Sequence, residues 1–172
     1  MKIYLIRHGK ADYSYGDSHG FIGHGHDLAK LDERYIKDVI KTSKDIRLKE
    51  AELIISSPYT RALQTAAIIS KETGLDIKVE TDLREWEPDT TYQYKKDEFK
   101  SFYKDYITNN GIKPNDRLVL WESKDHLKNR VMRAIEKYKD YKCIIIVFHK
   151  IAIKSIIDID DIKPAEIIEY NY

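Results

Sequence analysis

Arg7-His8-Gly9 follows directly on the apolar run Ile3-Tyr4-Leu5-Ile6, so a guanidinium, an imidazole and a flexible glycine arrive together where a buried strand must end. Two other segments have the same shape. Leu53-Ile54-Ile55-Ser56-Ser57-Pro58 runs into Tyr59-Thr60-Arg61, and the unbroken apolar run Cys143-Ile144-Ile145-Ile146-Val147-Phe148 ends at His149. Guanidinium groups offer fork-shaped donors to phosphoryl oxygens. One imidazole can attack phosphorus, while a second can neutralise charge on the group being transferred. In α/β sheets ligands bind in the crevice outside the carboxyl ends of the strands. Arg7, His8, Arg61 and His149 are all expected there, so together they point to phosphoryl transfer.

The elements that must position these residues are legible in outline. An apolar run without alternation, such as 143–148, fits a strand covered on both faces of a parallel sheet. Ser57 offers an N-cap hydroxyl and Pro58 suits a first helical position, so a helix is expected over 58–73 with Arg61 in its first turn. Ala62, Leu63, Ala66, Ala67 and Ile69 carry its core-facing stripe. The coarse order is a strand over 2–7, a long loop, a helix over 31–44, a strand over 52–56, the helix over 58–73 and a strand over 77–80. Leu127, Val131, Ala134, Ile135 and Tyr138 mark another helical stripe. The strand ending at His149 leads into 151–157, and 166–170 reads as an edge strand. Alternation of this kind implies an α/β fold, a three-layer α/β/α sandwich with a largely parallel central sheet.

Composition narrows the class. A chain of 172 residues fits one domain over 1–172 and can bury roughly 70% of its unfolded surface. Thirty basic against twenty-nine acidic residues give a net charge of +1, so no global field draws nucleic acid or an anionic membrane. Neither is expected as a partner. The single cysteine, Cys143, sits in the most apolar run and reads as a small core residue, which with the absence of a signal-peptide pattern makes the cytoplasm the expected location. No apolar stretch approaches membrane-spanning length.

Arg7-His8-Gly9, Ser56-Ser57-Pro58 through Arg61-Ala62 with Gln64-Thr65-Ala66, Leu83-Arg84-Glu85, Glu122-Ser123 followed by Arg130-Val131, and the strand ending at His149 come in an order and spacing that resemble the histidine phosphatase superfamily, the phosphoglycerate mutase-like group. The resemblance implies a phosphoglycerate mutase-like fold and a phosphatase that hydrolyses phosphomonoesters. It also implies the roles. His8 takes the phosphoryl group as phosphohistidine, Arg7, Arg61 and His149 hold its oxygens, and Glu85 protonates the leaving alcohol. Glu87 and Asp89 are neighbouring acids that could fill the last role, and Glu85 is favoured because it keeps the family's position relative to the preceding strand. The scheme requires no metal and no cofactor. The expected partner is a small phosphoester, with phosphate as product. Alternative readings are a phosphohistidine or phosphoprotein phosphatase, a phosphoglycerate-type mutase, and a non-catalytic phospho-ligand binding module.

The chain departs from the family pattern beside these residues. Where many relatives continue with an acid, then threonine or serine, it reads Lys10-Ala11-Asp12-Tyr13-Ser14, and His149 is followed by Lys150 instead of glycine. Phe21-Ile22-Gly23 resembles the family's substrate loop. Substrate contacts are therefore expected from Ser14, Ile22, Gly23 and Lys150. His24, His26 and Asp27 are metal-ligand types, but three glycines so close together read better as a mobile loop over substrate. Over 92–106, Phe99, Phe102, Tyr103 and Tyr106 recur at helical spacing with lysines between them, which reads as an amphipathic helix packing aromatics inward. The family's insertion at this place shapes the substrate pocket, so these tyrosines are also candidates for its mouth.

Overall fold

The computed structural model describes all residues, 1–172, and places two long apolar runs side by side at the centre of a five-stranded sheet. The strands of this sheet are β1 (Lys2–Arg7), β4 (Ile54–Ser56), β5 (Ile77–Val79), β6 (Cys143–Phe148) and β7 (Ile167–Asn171), in the order β5-β4-β6-β1-β7. β5, β4, β6 and β1 run parallel, and β7 closes the edge antiparallel to β1. A separate short hairpin-like pair joins β2 (Ala11–Asp12) to β3 (Lys30–Leu31).

Burial on both faces explains the unbroken apolar runs. Side chains alternate across a strand, so Ile3, Leu5, Ile144, Ile146 and Phe148 face one layer while Tyr4, Ile6, Ile145 and Val147 face the other. The first layer contains α5 (Lys124–Glu136) and α6 (Lys150–Ile156), which contribute Leu127, Val131, Ile135, Ala152 and Ile153. The second contains α3 (Thr60–Thr73), contributing Ala62, Ala66 and Ile69. The architecture is thus the expected α/β/α sandwich with a mostly parallel sheet. Each fully buried isoleucine contributes about 1.5–3 kcal/mol, which makes these two layers the main source of stability.

Boundaries shift where polar side chains intervene. The expected helix over 31–44 is a strand end, a 3₁₀ turn at Glu33–Tyr35 and then α2 (Ile36–Ser43). Leu31 N–H is claimed by Gln64 Oε1 at 2.7 Å, and Asp32 caps the turn by accepting from Arg34 N–H. The helix expected from 58 begins at Thr60 instead. Ser57 Oγ accepts weakly from Tyr59 N–H at 3.3 Å, and its main partner is His149, so the hydroxyl does not cap the helix. The chain is completed by α1 (Ser14–Ser18) and α4 (Lys96–Thr108). Along α4 Phe102, Tyr103 and Tyr106 pack on the core as expected. No helix is long and apolar enough to cross a membrane.

Candidate active site

Strand register brings the chemistry together. Ile6, Val147 and Ser56 are level across β1, β6 and β4. The residues that follow, Arg7-His8, Phe148-His149 and Ser57, therefore leave the sheet at one edge. His8 N–H still bonds Phe148 C=O at 3.0 Å and Ser57 N–H bonds Val147 C=O at 3.0 Å, so the site begins on the last rungs of the ladder. Gly9 is required by packing: a Cβ there would lie 2.5 Å from Val39 Cγ2 and 3.0 Å from Leu31 Cδ2.

The His8 ring has one defined tautomer. Its Nδ1 lies 2.6 Å from Gly9 C=O, and a carbonyl oxygen only accepts, so Nδ1 carries the proton and Nε2 presents its lone pair. Arg61 Nε donates to that Nε2 at 3.3 Å. Burial, reinforced by the Arg61 charge, pushes the His8 pKa well below the ordinary value and keeps the ring neutral. The His149 ring stands 5.1 Å from it and is held neutral by the same causes. His149 Nε2 meets Ser57 Oγ at 2.7 Å, while its Nδ1, like Arg7 Nε, is buried with no hydrogen-bond partner in the protein. Arg7 is anchored through Nη1 to Ile162 C=O at 2.6 Å. Both terminal nitrogens of Arg61 lie 3.5 Å from Asp27 Oδ1, the outer limit of hydrogen bonding.

Glu85 lies in the same cavity wall. Its carboxyl receives N–H groups from Trp86 at 2.9 Å, Ala152 at 3.0 Å and Ile151 at 3.2 Å. Burial nevertheless outweighs these donors and raises its pKa, favouring the protonated acid. The neighbouring acids are otherwise engaged. Glu87 accepts from Arg84 Nε at 2.5 Å and Tyr92 hydroxyl at 2.9 Å, and Asp89 accepts from Thr91 N–H and hydroxyl, each at 2.7 Å.

The segment carrying Glu85 is clamped from below. Arg130, fully buried, donates to the carbonyls of Asp82, Arg84 and Glu85 at 2.7–2.8 Å and to both oxygens of Glu122. Removing Arg130 leaves the buried Glu122 carboxylate without its bidentate cation, with only His126 Nδ1 and Glu87 N–H still against it. Arg130→Met is expected to cost about 3–5 kcal/mol of stability, read from the midpoint of urea unfolding. A loss under 1 kcal/mol would show that the clamp is dispensable.

A family model described as histidine phosphatase superfamily (branch 1) matches residues 3–170. The chain belongs to that superfamily. No curated protein sequence gives a significant match. Solved structures of similar fold include a mycobacterial glucosyl-3-phosphoglycerate phosphatase, 17% identical with a TM-score of 0.74 over 98% of this chain and 88% of that one. YhfR of Bacillus stearothermophilus is 18% identical with a TM-score of 0.74, covering 98% of this chain and 89% of its own. A putative alpha-ribazole-5'-P phosphatase of Escherichia coli is 20% identical with a TM-score of 0.63, covering 93% and 81%.

In this histidine phosphatase superfamily member the structure gathers Arg7, His8, Arg61 and Glu85 on one cavity wall, with His149 buried beside His8. It does not bring the four expected substrate contacts to that wall. Ser14 is exposed in α1, and Ile22 is 44% exposed at the protein surface. Gly23 is buried under the 92–94 segment, at φ +49°, where a Cβ would come within 2.0 Å of Tyr92 C=O. Lys150 turns to Asp161, pairing at 2.5 Å. The wall instead includes Tyr13, Tyr59, Tyr92 and Tyr94. Sequence reasoning also passed over Ser57 as the partner of His149; its place at the end of a strand level with His149 was the available signal.

The two neutral histidines make stability depend on pH. Below about pH 6.5 the unfolded chain binds protons at both, while the folded state resists them, so stability falls as pH is lowered. Glu85 acts in the opposite sense, since its raised pKa lets the folded state keep a proton above about pH 4.3, but it is one group against two. The melting temperature should therefore drop between pH 7 and pH 5. A flat profile would mean the imidazoles are not held neutral.

Proposed function

We propose that this protein is a metal-independent phosphatase of small phosphomonoesters, working through a phosphohistidine on His8 within one domain over 1–172. The observation that carries this reading is the His8 ring, neutral, with Nδ1 tied to Gly9 C=O and Nε2 turned to the Arg61 guanidinium. The lone pair of Nε2 attacks phosphorus and the P–O bond to the alcohol breaks. Glu85 delivers its proton to the departing oxygen. The resulting carboxylate then takes a proton from water as that water attacks phosphorus, the P–N bond breaks, and phosphate leaves with His8 neutral again.

Charge on the transferring group is met by fixed cations. Arg61 and Arg7 supply fork-shaped donors, and the unpartnered nitrogens of Arg7 and His149 gain acceptors when phosphoryl oxygens enter. These guanidiniums do the electrostatic work that a divalent ion does in other phosphoryl-transfer sites. The mycobacterial phosphatase of similar fold has been solved with VO3 and with inorganic phosphate, in keeping with a phosphate-binding pocket here.

The test is phosphate release from a panel of sugar phosphates, nucleotides, phosphoglycerates and phosphopeptides, with and without EDTA. Turnover of at least one small phosphomonoester that survives chelation is expected. Activity that collapses with EDTA and returns with added metal, or hydrolysis of phosphopeptides alone, would overturn the reading.

A further inference from the structure

The cavity beside His8 encloses about 990 Å³, at the top of the range of roughly 300–1,000 Å³ usual for small-molecule sites. A phosphoryl group fills little of it, so most of the space belongs to the leaving group. Seven of its 26 lining residues are Tyr, Trp or Phe, whereas these types make up 11% of the chain. The rings begin at the phosphate-binding arginine: Tyr59 lies 5.0 Å and Tyr13 5.8 Å from the Arg61 guanidinium. Two more are held by stacking, Tyr92 on His24 at 4.2 Å and Tyr94 on His26 at 5.8 Å, so their faces are set before any ligand arrives.

Part of the wall's polar capacity is committed within the protein. No asparagine or glutamine lines the cavity. Three of its carboxylates are already engaged, Asp27 by His24, Glu87 by Arg84 and Asp89 by Thr91, while Asp17 meets Lys96 through one oxygen only. A flat ring would find preset aromatic surface beside the phosphate site.

We propose that the leaving group of the natural substrate carries a planar aromatic ring, held among Tyr13, Tyr59, Tyr92 and Tyr94. This rests on the phosphatase reading of the His8 site and specifies its substrate as a small aryl-bearing phosphomonoester. Tyr13 and Tyr94 carry the most direct test, because their hydroxyls bond to no other residue and their loss orphans no partner.

Calorimetric binding to the intact protein separates ring recognition from leaving-group chemistry if the ligands cannot be hydrolysed. The probes are 2-phenylethylphosphonate, 2-cyclohexylethylphosphonate and inorganic phosphate. The phenyl compound is expected to bind about three- to tenfold more tightly than its saturated counterpart. Tyr13→Leu and Tyr94→Leu should each move that ratio toward one. Equal binding of the two phosphonates to the wild-type protein, with inorganic phosphate still bound, would overturn the aromatic inference and leave the phosphatase reading standing. A ratio unchanged in both variants would overturn it equally. Failure of all three probes to bind would instead sink the phosphatase reading, and the aromatic inference with it.

Discussion

His8→Ala is expected to leave no measurable phosphate release, and Arg61→Ala to lower kcat/KM by about 10²–10³-fold. The two losses have different origins. In the proposed mechanism His8 supplies the electron pair that displaces the alcohol, and its Nε2 is the imidazole nitrogen that accepts from Arg61, whereas His149 Nε2 is taken by Ser57. Arg61 is proposed as a preorganised donor to the developing charge, its guanidinium held by burial and by its contacts with the His8 and Tyr59 rings. Melting curves of both variants must stay cooperative for the comparison to count. Near-normal turnover by His8→Ala would remove the nucleophile assignment outright.

Glu85→Gln should discriminate between substrates by leaving group. Proton donation typically contributes about 10²–10⁴-fold where the leaving oxygen is strongly basic, and little where it is not. An alkyl phosphate should therefore lose most of its turnover in this variant while p-nitrophenyl phosphate keeps most of its own. The pH profile sharpens the test. Because burial raises the Glu85 pKa, the wild-type alkyl-ester profile should fall at high pH as the acid deprotonates, and it should fall at low pH as His8 protonates below its depressed value. Glu85→Gln should abolish the high-pH limb and keep the low one. Equal losses on both esters would assign Glu85 to positioning, and Glu87→Gln and Asp89→Asn would then be compared, although both acids are bound to internal partners.

That Arg7, His8, Arg61 and His149 come together was readable from sequence because each follows an apolar run that could only be a buried strand, and parallel strands end at a common edge. β1 and β6 are the plainest examples, with every residue from Cys143 to Phe148 buried. Residues whose role depends on where a side chain turns were not readable. Lys150 adjoins His149 in the chain, yet it opens α6 and swings to Asp161, away from the cavity wall. Ser57 looked like a helix cap because serine before proline usually is one, and its hydroxyl is drawn instead to an imidazole ninety-two residues away. The aromatic wall is assembled from Tyr13, Tyr59 and the 92–94 segment, three separate stretches with no shared periodicity, so only the folded arrangement reveals it.

The central claim is a covalent phosphoryl bond to His8 Nε2, and its most direct test is to trap that bond. Wild-type protein mixed with ³²P-labelled p-nitrophenyl phosphate and quenched in alkaline denaturant within the first turnover should carry label that is stable to base, released by acid, and located by peptide mapping on His8. Label on any other residue, or a first-turnover burst of p-nitrophenol ahead of phosphate with no label on the protein, would contradict the account.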